Sequence, residues 1–462
     1  MAPSITDAAN DEPGLTRLLA ERIVALRAMP LPEAARTAAR RLLLDGLAVA
    51  VAGAGEAAPA GIRRLQQRLA APGPAHLVGA GARLGVCAAA LCNGAAMHVL
   101  DYEAMWSPPN HATSTCLPAV LALAEERGAS GAEALAAFVA GVEMQGRLRV
   151  ASGVFEPRAF RFHPPGVVGP LGAAVAAGHL LVLDATRLTH AIGIAASRAG
   201  SLLANAGTMT KCLHCGQAAA FGLEAALLAA DGFTANLDAL GHGQGFFAAF
   251  FNACEDGLLL NYGEPWRLVE PGYAIKRFPC QYGTHFVINA ALQAAQRVPR
   301  PAAIRAVRIV SPVMPYVDRP APADGLTGKF SFQYTAAAAL LDRQVGIDSF
   351  RDERRFAADM VALLPLVQVE QREEIPASFE AMHVELEVTL ADGHRIVARC
   401  DKPKGYIGAA PLSEAEHLTK VEDCLSRALA PARAAEAIEH CQRFDRLPSE
   451  GIGRLMTLLA GE

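Results

Sequence analysis

Apolar residues recur at helical spacing through most of the first 265 residues of the chain, and short turns with glycine or proline separate the runs. Leu15–Met29 follows a period of 3.6 residues, and Pro32 suits the first turn of a second helix. Further helices are predicted over 133–151, 171–183, 186–196 and 217–231. This part of the chain is therefore predicted to be entirely helical.

The pattern changes near residue 270. AIRAVRIV at 303–310 and MHVELEVT at 382–389 are rich in β-branched residues and predict strands, and Asp392-Gly393 is typical of a hairpin turn. A helix is predicted over 331–342, and helical spacing returns near Glu414. The predicted fold is mainly α: a large all-helical domain (1–268, completed by C-terminal helices 432–462) with an inserted smaller α+β lid domain (269–431).

Composition supports two domains and narrows the class of protein. The chain has 462 residues, of which 52% are hydrophobic and 19% charged, with a formal net charge of −4. This length exceeds what one hydrophobic core usually organises. The balanced charge predicts no nucleic-acid partner, and the lack of a long uninterrupted apolar stretch predicts no membrane span. A polar, acidic N-terminus without signal-peptide order predicts a cytoplasmic protein.

Neither cysteines nor loop motifs indicate a cofactor. Most of the ten cysteines lie in apolar segments that are predicted to be helical, as is typical of reduced, buried thiols. The one CxxC motif, Cys212 to Cys215, lacks a second pair at zinc-finger spacing, so no metal site is predicted. Walker A, dinucleotide-binding and GxSxG signatures are also missing. The chemistry is therefore expected to be done by side chains alone.

Two polar segments in the predicted helical domain carry candidate catalytic residues. In the first, Asp101 and His111 lie ten residues apart across two prolines, which predicts a loop whose side chains can point into a cleft. In the second, His163 precedes Pro-Pro-Gly and a helix whose N-terminus would attract an anion. The ordinary alternatives are a capped interhelical loop and a loop histidine with one backbone hydrogen bond.

Two later segments supply candidate cations. Lys211 lies in apolar text, where an unpaired lysine is costly to bury, so it either neutralises a substrate carboxylate or extends to the surface. His214 is one helical turn further on. Lys276 and Arg277 lie at the predicted domain junction, where ligand clefts tend to form. Tyr316 adds a polar group from the predicted insert.

Together these segments resemble the MmgE/PrpD family, whose known members include 2-methylcitrate dehydratase, cis-aconitate decarboxylase and iminodisuccinate epimerase. The matching text, in family order, is NGAAMHVLDYE, FHPPGVVGPLGAA, GTMTKCLHCGQAAAFGLEAALLAADGF, IKRFPCQYGTH and KFSFQYTAAAALLD. The resemblance extends over roughly residues 15 to 460 and is closest to the cis-aconitate decarboxylase branch. It implies a homodimer, each subunit having a positively charged cleft between a helical domain and an α+β lid.

The resemblance also assigns roles by position. It places the catalytic residues at His111, His163, Asp101, Lys211 and Lys276. The predicted substrate-binding residues are Arg277, Gln281, Tyr316, His214 and Met105. Two positions depart from the decarboxylase pattern, which has threonine in place of Met105 and histidine in place of Gln281. Glutamine can hold a carboxylate by hydrogen bonding, but it cannot exchange a proton.

The predicted function is that of a cofactor-free lyase, acting on a small di- or tricarboxylate by decarboxylation or dehydration. Either reaction builds negative charge beside a carboxylate, which Lys211 and Lys276 would stabilise. A histidine, first of all His111, would exchange the proton. One alternative is an epimerase or racemase of an imino- or amino-dicarboxylate, with two proton-exchanging groups. Another is a non-catalytic helical binding protein.

Overall fold

The computed structural model describes residues 13–155, 159–251, 253–406 and 411–461, and it is mainly α-helical. The first part contains helices and one short two-stranded ribbon: α1 (Leu15–Arg27), α2 (Glu33–Gly53), α3 (Ala57–Leu69), β1 (Ala75–His76), β2 (Arg83–Leu84), α4 (Val86–His98), α5 (Thr113–Arg127), α6 (Gly131–Ala151), α7 (Pro164–Leu180), α8 (Ala185–Ala196), α9 (Thr210–Ala230), α10 (Phe246–Phe250) and α11 (Asp256–Leu260).

The second part mixes helices with a sheet before it returns to helices. Its elements are α12 (Tyr282–Ala295), β3 (Ile304–Pro312), α13 (Gly325–Gly328), α14 (Phe332–Asp342), α15 (Asp352–Arg355), α16 (Ala358–Leu363), β4 (Val367–Arg372), β5 (Val384–Leu390), β6 (Arg395–Cys400), α17 (Glu414–Leu425), α18 (Pro431–Gln442) and α19 (Ser449–Ala460). The sheet has the strand order β4-β3-β5-β6, with β3 and β4 parallel and the other pairs antiparallel.

Two hydrophobic clusters organise these elements. The first cluster contains buried side chains of α1, α2, α4 to α9 and α17 to α19. The second contains those of α12, α14 and the four-stranded sheet. Strand β5 alternates buried and part-exposed residues, as expected when one face of a sheet packs on helices. The chain therefore leaves the first cluster near residue 270 and returns to it from α17 onward.

Most predicted elements are confirmed, with differences at their ends. α6 and α8 start within two residues of the predicted positions, and both predicted strands occur as β3 and β5. α7 begins at Pro164 instead of 171 because proline suits the first turn, where its missing N–H is not needed. α9 begins at Thr210 instead of 217, so the polar segment around Lys211 is helical. The sequence did not predict α12 or β4.

Close backbone packing fixes the position of α9 against α4 and α7. A Cβ atom added at Gly216 would lie 2.2 Å from the carbonyl oxygen of Leu91 on α4. One added at Gly222 would lie 2.2 Å from the carbonyl oxygen of Pro170 on α7. Only glycine permits such an approach, so the three helices meet backbone to backbone. His98 at the end of α4, His163 before α7 and Lys211 in α9 are therefore held in a fixed relation.

Helix α9 is long enough and apolar enough to cross a membrane. No such segment was expected from the sequence. In the structure, 67% of its most apolar window is buried. α2 and α3 pass the same test only as a pair, and they are bent by 85° where they meet. Burial in the first cluster accounts for the apolar composition of α9. A helix in a protein core is surrounded by apolar groups, as a membrane-spanning helix is, so both have apolar sequences.

Candidate active site

Asp101 is the centre of the charged groups. It lies in the loop between α4 and α5 with a left-handed backbone (φ 51°), and its N–H donates to the carbonyl of His98 at 2.8 Å. Lys211 donates to its Oδ2 at 2.9 Å, and Lys276 donates to its Oδ1. Burial alone would raise the pKa of Asp101, but the two lysines outweigh it and hold the pKa well below its usual value. The carboxylate is therefore ionised between two cations.

The two lysines differ in how many of their N–H donors remain available for a ligand. The Nζ of Lys276 is buried and donates three hydrogen bonds: to Oδ1 and the carbonyl oxygen of Asp101 (2.9 Å for the latter) and to the carbonyl oxygen of Cys280 at 3.0 Å. An ammonium group has three donors, so all of them are used. Lys211 makes one hydrogen bond within the described residues and lies over the Phe330 ring at 5.4 Å. Its two remaining N–H groups are available to a ligand.

His111 lies between two buried carboxyl groups. Its Nε2 is 3.6 Å from Oδ1 of Asp101, and its Nδ1 is 3.4 Å from Oε1 of Glu103. The loop that carries it is anchored by Asn110, whose side chain donates to Gln145 of α6 at 2.9 Å. Burial lowers the pKa of His111 well below its usual value despite the opposing effect of Glu103. The imidazole is therefore neutral at pH 7.

Glu103 joins His111 to a second buried histidine. Its Oε1 contacts Nδ1 of His98 at 2.7 Å and accepts from the Ser114 hydroxyl at 2.7 Å. Burial raises the pKa of Glu103, against the effect of His111 and Lys276. When Glu103 is ionised it can only accept, so His98 carries its proton on Nδ1. The Nε2 of His98 is buried and has no hydrogen-bond partner within the described residues.

His163 and His214 form a pair next to this group. Their Nδ1 atoms lie 3.3 Å apart, so one of the two must donate. The N–H of His163 donates to the carbonyl of Ser201 at 2.8 Å, which fixes its position before α7. Burial lowers the pKa of His163, and it lowers that of His214 to about 4. His163 faces the cavity described next, whereas His214 supports it from behind.

A cavity of about 90 Å³ lies where the two hydrophobic clusters meet. This volume suits a small organic molecule, since one water needs roughly 10–15 Å³ by the same kind of measure. One wall carries the polar groups of the first part of the chain: Asp101, His111, His163 and Lys211. The other comes mainly from the second part and includes Gln281, Tyr316, Phe330 and Phe379. With Lys276, which also borders the cavity, all five predicted catalytic residues meet here.

Gln281 and Tyr316 act as one unit in the second wall. The Gln281 side chain caps α12, with Oε1 accepting from the N–H of Thr284 at 3.2 Å. Its Nε2 donates to the Tyr316 hydroxyl at 2.8 Å. Since that hydroxyl oxygen is already accepting, its own proton is left to donate to a ligand. Burial raises the pKa of Tyr316, so the proton stays on the oxygen.

Met105 borders the cavity, whereas Arg277 does not line it. Met105 forms a bridge to Ala274, with both backbone hydrogen bonds made at 2.9 and 2.8 Å, and its side chain is buried. Arg277 is exposed and lines a separate cleft with Lys420. Lys276 is buried because Asp101 and Cys280 accept its three hydrogen bonds, whereas the guanidinium of Arg277 remains exposed to water.

Sequence reasoning missed three polar residues at the site. His98 and Glu103 belong to the same polar segment as Asp101, but the sequence assigned a role to neither of them. Lys329 is buried and donates only to the carbonyl of Leu100, at 3.2 Å, within the described residues. Burial lowers its pKa to about 8. It lines a second cavity of about 380 Å³ that shares Lys211 and Asp101 with the first.

Comparisons with known proteins identify the family of this chain. The MmgE/PrpD N-terminal domain matches residues 17–256, and the MmgE/PrpD C-terminal domain matches residues 278–444. The chain is 36% identical to cis-aconitate decarboxylase of Homo sapiens over 82% of this chain and 80% of that protein. For the enzyme of Mus musculus the identity is 34% over 79% of each chain, and for that of Aspergillus terreus it is 27% over 91% of each. The chain belongs to the MmgE/PrpD family.

Proposed function

We propose that this protein decarboxylates an unsaturated tricarboxylate of the cis-aconitate type, and that its own side chains suffice for the reaction. The observation that carries the proposal is the pairing of Lys211, which has two free donors, with His111 in one small cavity. Family membership makes the chain an enzyme, so the non-catalytic alternative is dropped. The names of its relatives support a lyase over an epimerase.

Binding would use the donors that make no hydrogen bond to the described residues. Lys211 donates to one substrate carboxylate, and the Tyr316 hydroxyl, held by Gln281, donates to another. Lys276 acts indirectly, because its three donors are occupied in holding Asp101. Apolar walls from Phe330 and Phe379 exclude water, which strengthens every charged hydrogen bond inside.

The reaction then needs one bond broken and one proton delivered. The bond between carbon and the departing carboxylate breaks, carbon dioxide leaves, and the electron pair stays on the carbon framework beside the remaining carboxylates. Lys211 stabilises that added charge. His111 is neutral at pH 7, and a bound polyanion favours its protonated form. It gives the proton to carbon and recovers one from water, while Asp101, 3.6 Å away, orients the ring.

The second hydrophobic cluster would act as a lid. Its residues Gln281, Tyr316 and Phe379 form the wall of the cavity that faces the charged groups of the first part of the chain. Opening of this wall would admit the tricarboxylate, and closing would bring Tyr316 onto it. Such closure is common where water must be excluded from a reactive intermediate.

The test is to incubate the purified protein with cis-aconitate in D₂O and follow it by carbon and proton NMR. The proposal predicts carbon dioxide release and a dicarboxylate product with one deuterium at the carbon that His111 protonates. 2-Methylcitrate and an imino-dicarboxylate serve as parallel substrates. Loss of water from the former would point to a dehydratase.

Epimerisation has its own signature in the same experiment. It would exchange the α-hydrogen of the imino-dicarboxylate for deuterium, with no other change in the mass of the molecule. His111 and His163 would be the two proton carriers. His111→Gln is the matched control, because it keeps the size of the side chain but cannot titrate. If none of the substrates releases carbon dioxide while one of the other reactions proceeds, the proposed decarboxylation is wrong.

A further inference from the structure

Three buried residues beside the cavity form a group that fits a metal ion. One nitrogen each of His98 and His163 and the Sγ of Cys215 all lie within 4.8 Å of one another. All three side chains are at least 95% buried. Tetrahedral zinc with one thiolate and two imidazoles would need ligand atoms roughly 3.3–3.8 Å apart. Closing the group around an ion therefore requires shifts of about an ångström, within the reach of side-chain rotations.

The surroundings of His98 are those of a metal ligand. Its Nδ1 is 2.7 Å from Oε1 of Glu103, and ligand histidines commonly donate their second nitrogen to a carboxylate in this way. The contact leaves Nε2 as a lone-pair nitrogen, and that atom is buried without a hydrogen-bond partner in the described part of the chain. A buried unpaired acceptor is costly, so binding an ion there would remove an existing penalty.

Charge does not prevent a cation from entering. Lys211 and Lys276 are the nearby cations, but Asp101 pairs with both, and Glu103 adds a second negative group when ionised. Binding of a dication would also release the proton of the Cys215 thiol to water, which adds a thiolate to the site. His98 lines the larger cavity and His163 the smaller one, so both cavities lead to the group.

We propose that His98, His163 and Cys215 bind a thiophilic dication, with zinc as the best fit, and that the bound ion is an inhibitor. Imidazole and thiolate ligands in a tetrahedral arrangement select zinc over magnesium or calcium, and a water completes the fourth position. An ion on His163 occupies a group that faces the cavity and places a positive charge beside His111. The proposal has two halves: that the ion binds (the binding half) and that it inhibits the enzyme (the inhibitory half). The inhibitory half rests on the proposed function, whereas the binding half does not.

The binding half is tested with cobalt chloride on the full-length, metal-free protein, without substrate. One equivalent of Co²⁺ should give a thiolate-to-cobalt charge-transfer band and the intense visible bands of tetrahedral cobalt. Cys215→Ser should lose the charge-transfer band and weaken binding at least tenfold. Cys212→Ser is the matched control: Cys212 is also buried on α9, but its Sγ donates to the carbonyl of Met209. Glu103→Gln should weaken binding about 10–100-fold without removing the band.

The outcomes separate the two halves. Zinc chloride should inhibit turnover of wild type and Cys212→Ser, a chelator should reverse the inhibition, and Cys215→Ser should retain its turnover in zinc. Wild type without a charge-transfer band, or with a band that Cys215→Ser and Cys215→Ala both keep, would overturn the site. A cobalt spectrum in a protein that decarboxylates nothing would leave the site standing and refute the proposed function instead. Circular dichroism melting confirms that each variant is folded.

Discussion

Replacement of Lys276 by methionine separates a structural cation from a substrate-binding one. Methionine nearly preserves the volume of the side chain but removes all three donors. The carbonyl and Oδ1 of Asp101 and the carbonyl of Cys280 would lose their shared partner in a fully buried position. Removal of one partner from a buried ion pair costs about 3–5 kcal/mol. We therefore expect Lys276→Met to lower the free energy of unfolding by that amount.

Lys211→Met is the matched comparison, since it removes a cation from the same carboxylate. Lys211 donates one hydrogen bond to Asp101 and faces the cavity with its other donors, so Asp101 keeps Lys276 and the fold loses less. A charged hydrogen bond to the substrate contributes about 1.5–3 kcal/mol, which corresponds to roughly a 10–100-fold rise in KM. Urea unfolding at neutral pH gives the stability of both variants, and steady-state kinetics on cis-aconitate gives KM and kcat.

The two variants should therefore fail in opposite ways. Lys276→Met should unfold at clearly lower urea with a nearly normal KM where it is still folded, and Lys211→Met should unfold near the wild-type midpoint with a raised KM. A Lys276→Met protein of wild-type stability with a KM raised as in Lys211→Met would refute the division of roles. It would mean that Lys276 leaves Asp101 and binds the substrate directly.

Four further outcomes are expected. His111→Gln should keep the melting temperature while kcat falls about 10²–10⁴-fold, as measured by carbon dioxide release; a folded variant with near-normal kcat would contradict its role in proton transfer. Tyr316→Phe should raise KM about tenfold because the donor to the substrate is removed, and it should lower the free energy of unfolding by about 0.5–1.5 kcal/mol because Gln281 Nε2 loses its acceptor. Burial lowers the pKa of His179 to about 4, so the unfolded state binds more protons between pH 6.5 and 4 and stability falls as the pH drops through that window. Between pH 7 and 4.5 the free energy of unfolding, measured by urea titration, should therefore fall by about 2–3 kcal/mol less in His179→Gln than in wild type. Light scattering at micromolar concentration should show a homodimer, and a stable monomer would contradict that expectation.

The sequence predicted the mainly helical fold, and the family resemblance singled out Asp101, His111, His163 and Lys211, which the structure places around one cavity. It did not predict how their hydrogen bonds are shared. Lys211 and Lys276 look alike in the sequence, yet one is saturated by its neighbours and the other is not. Three of the four hydrogen bonds of these lysines are made with Asp101, which is more than a hundred positions away along the chain. Spacing along the chain carries no information about them.

Orientation was the second limit. Lys276 and Arg277 were both predicted to face the substrate, but only Lys276 borders the cavity, and Arg277 is exposed. His98 received no role from the sequence, although it belongs to the same polar segment as Asp101. The spacing of five residues between His98 and Glu103 was the available signal, since the end of a helix followed by a tight turn can bring such a pair together.

The contact of Gly216 and Gly222 with neighbouring backbone has a consequence for how this enzyme can be changed. No side chain can be introduced there without forcing α4, α7 and α9 apart, and all three helices carry residues of the site. Directed evolution of substrate range should therefore find few useful substitutions in this frame. The opposite wall has no such constraint at Met105, Gln281 and Tyr316, which are held by side-chain packing and hydrogen bonds. A library confined to those three positions should yield altered substrate preference with the proton-transfer geometry left intact.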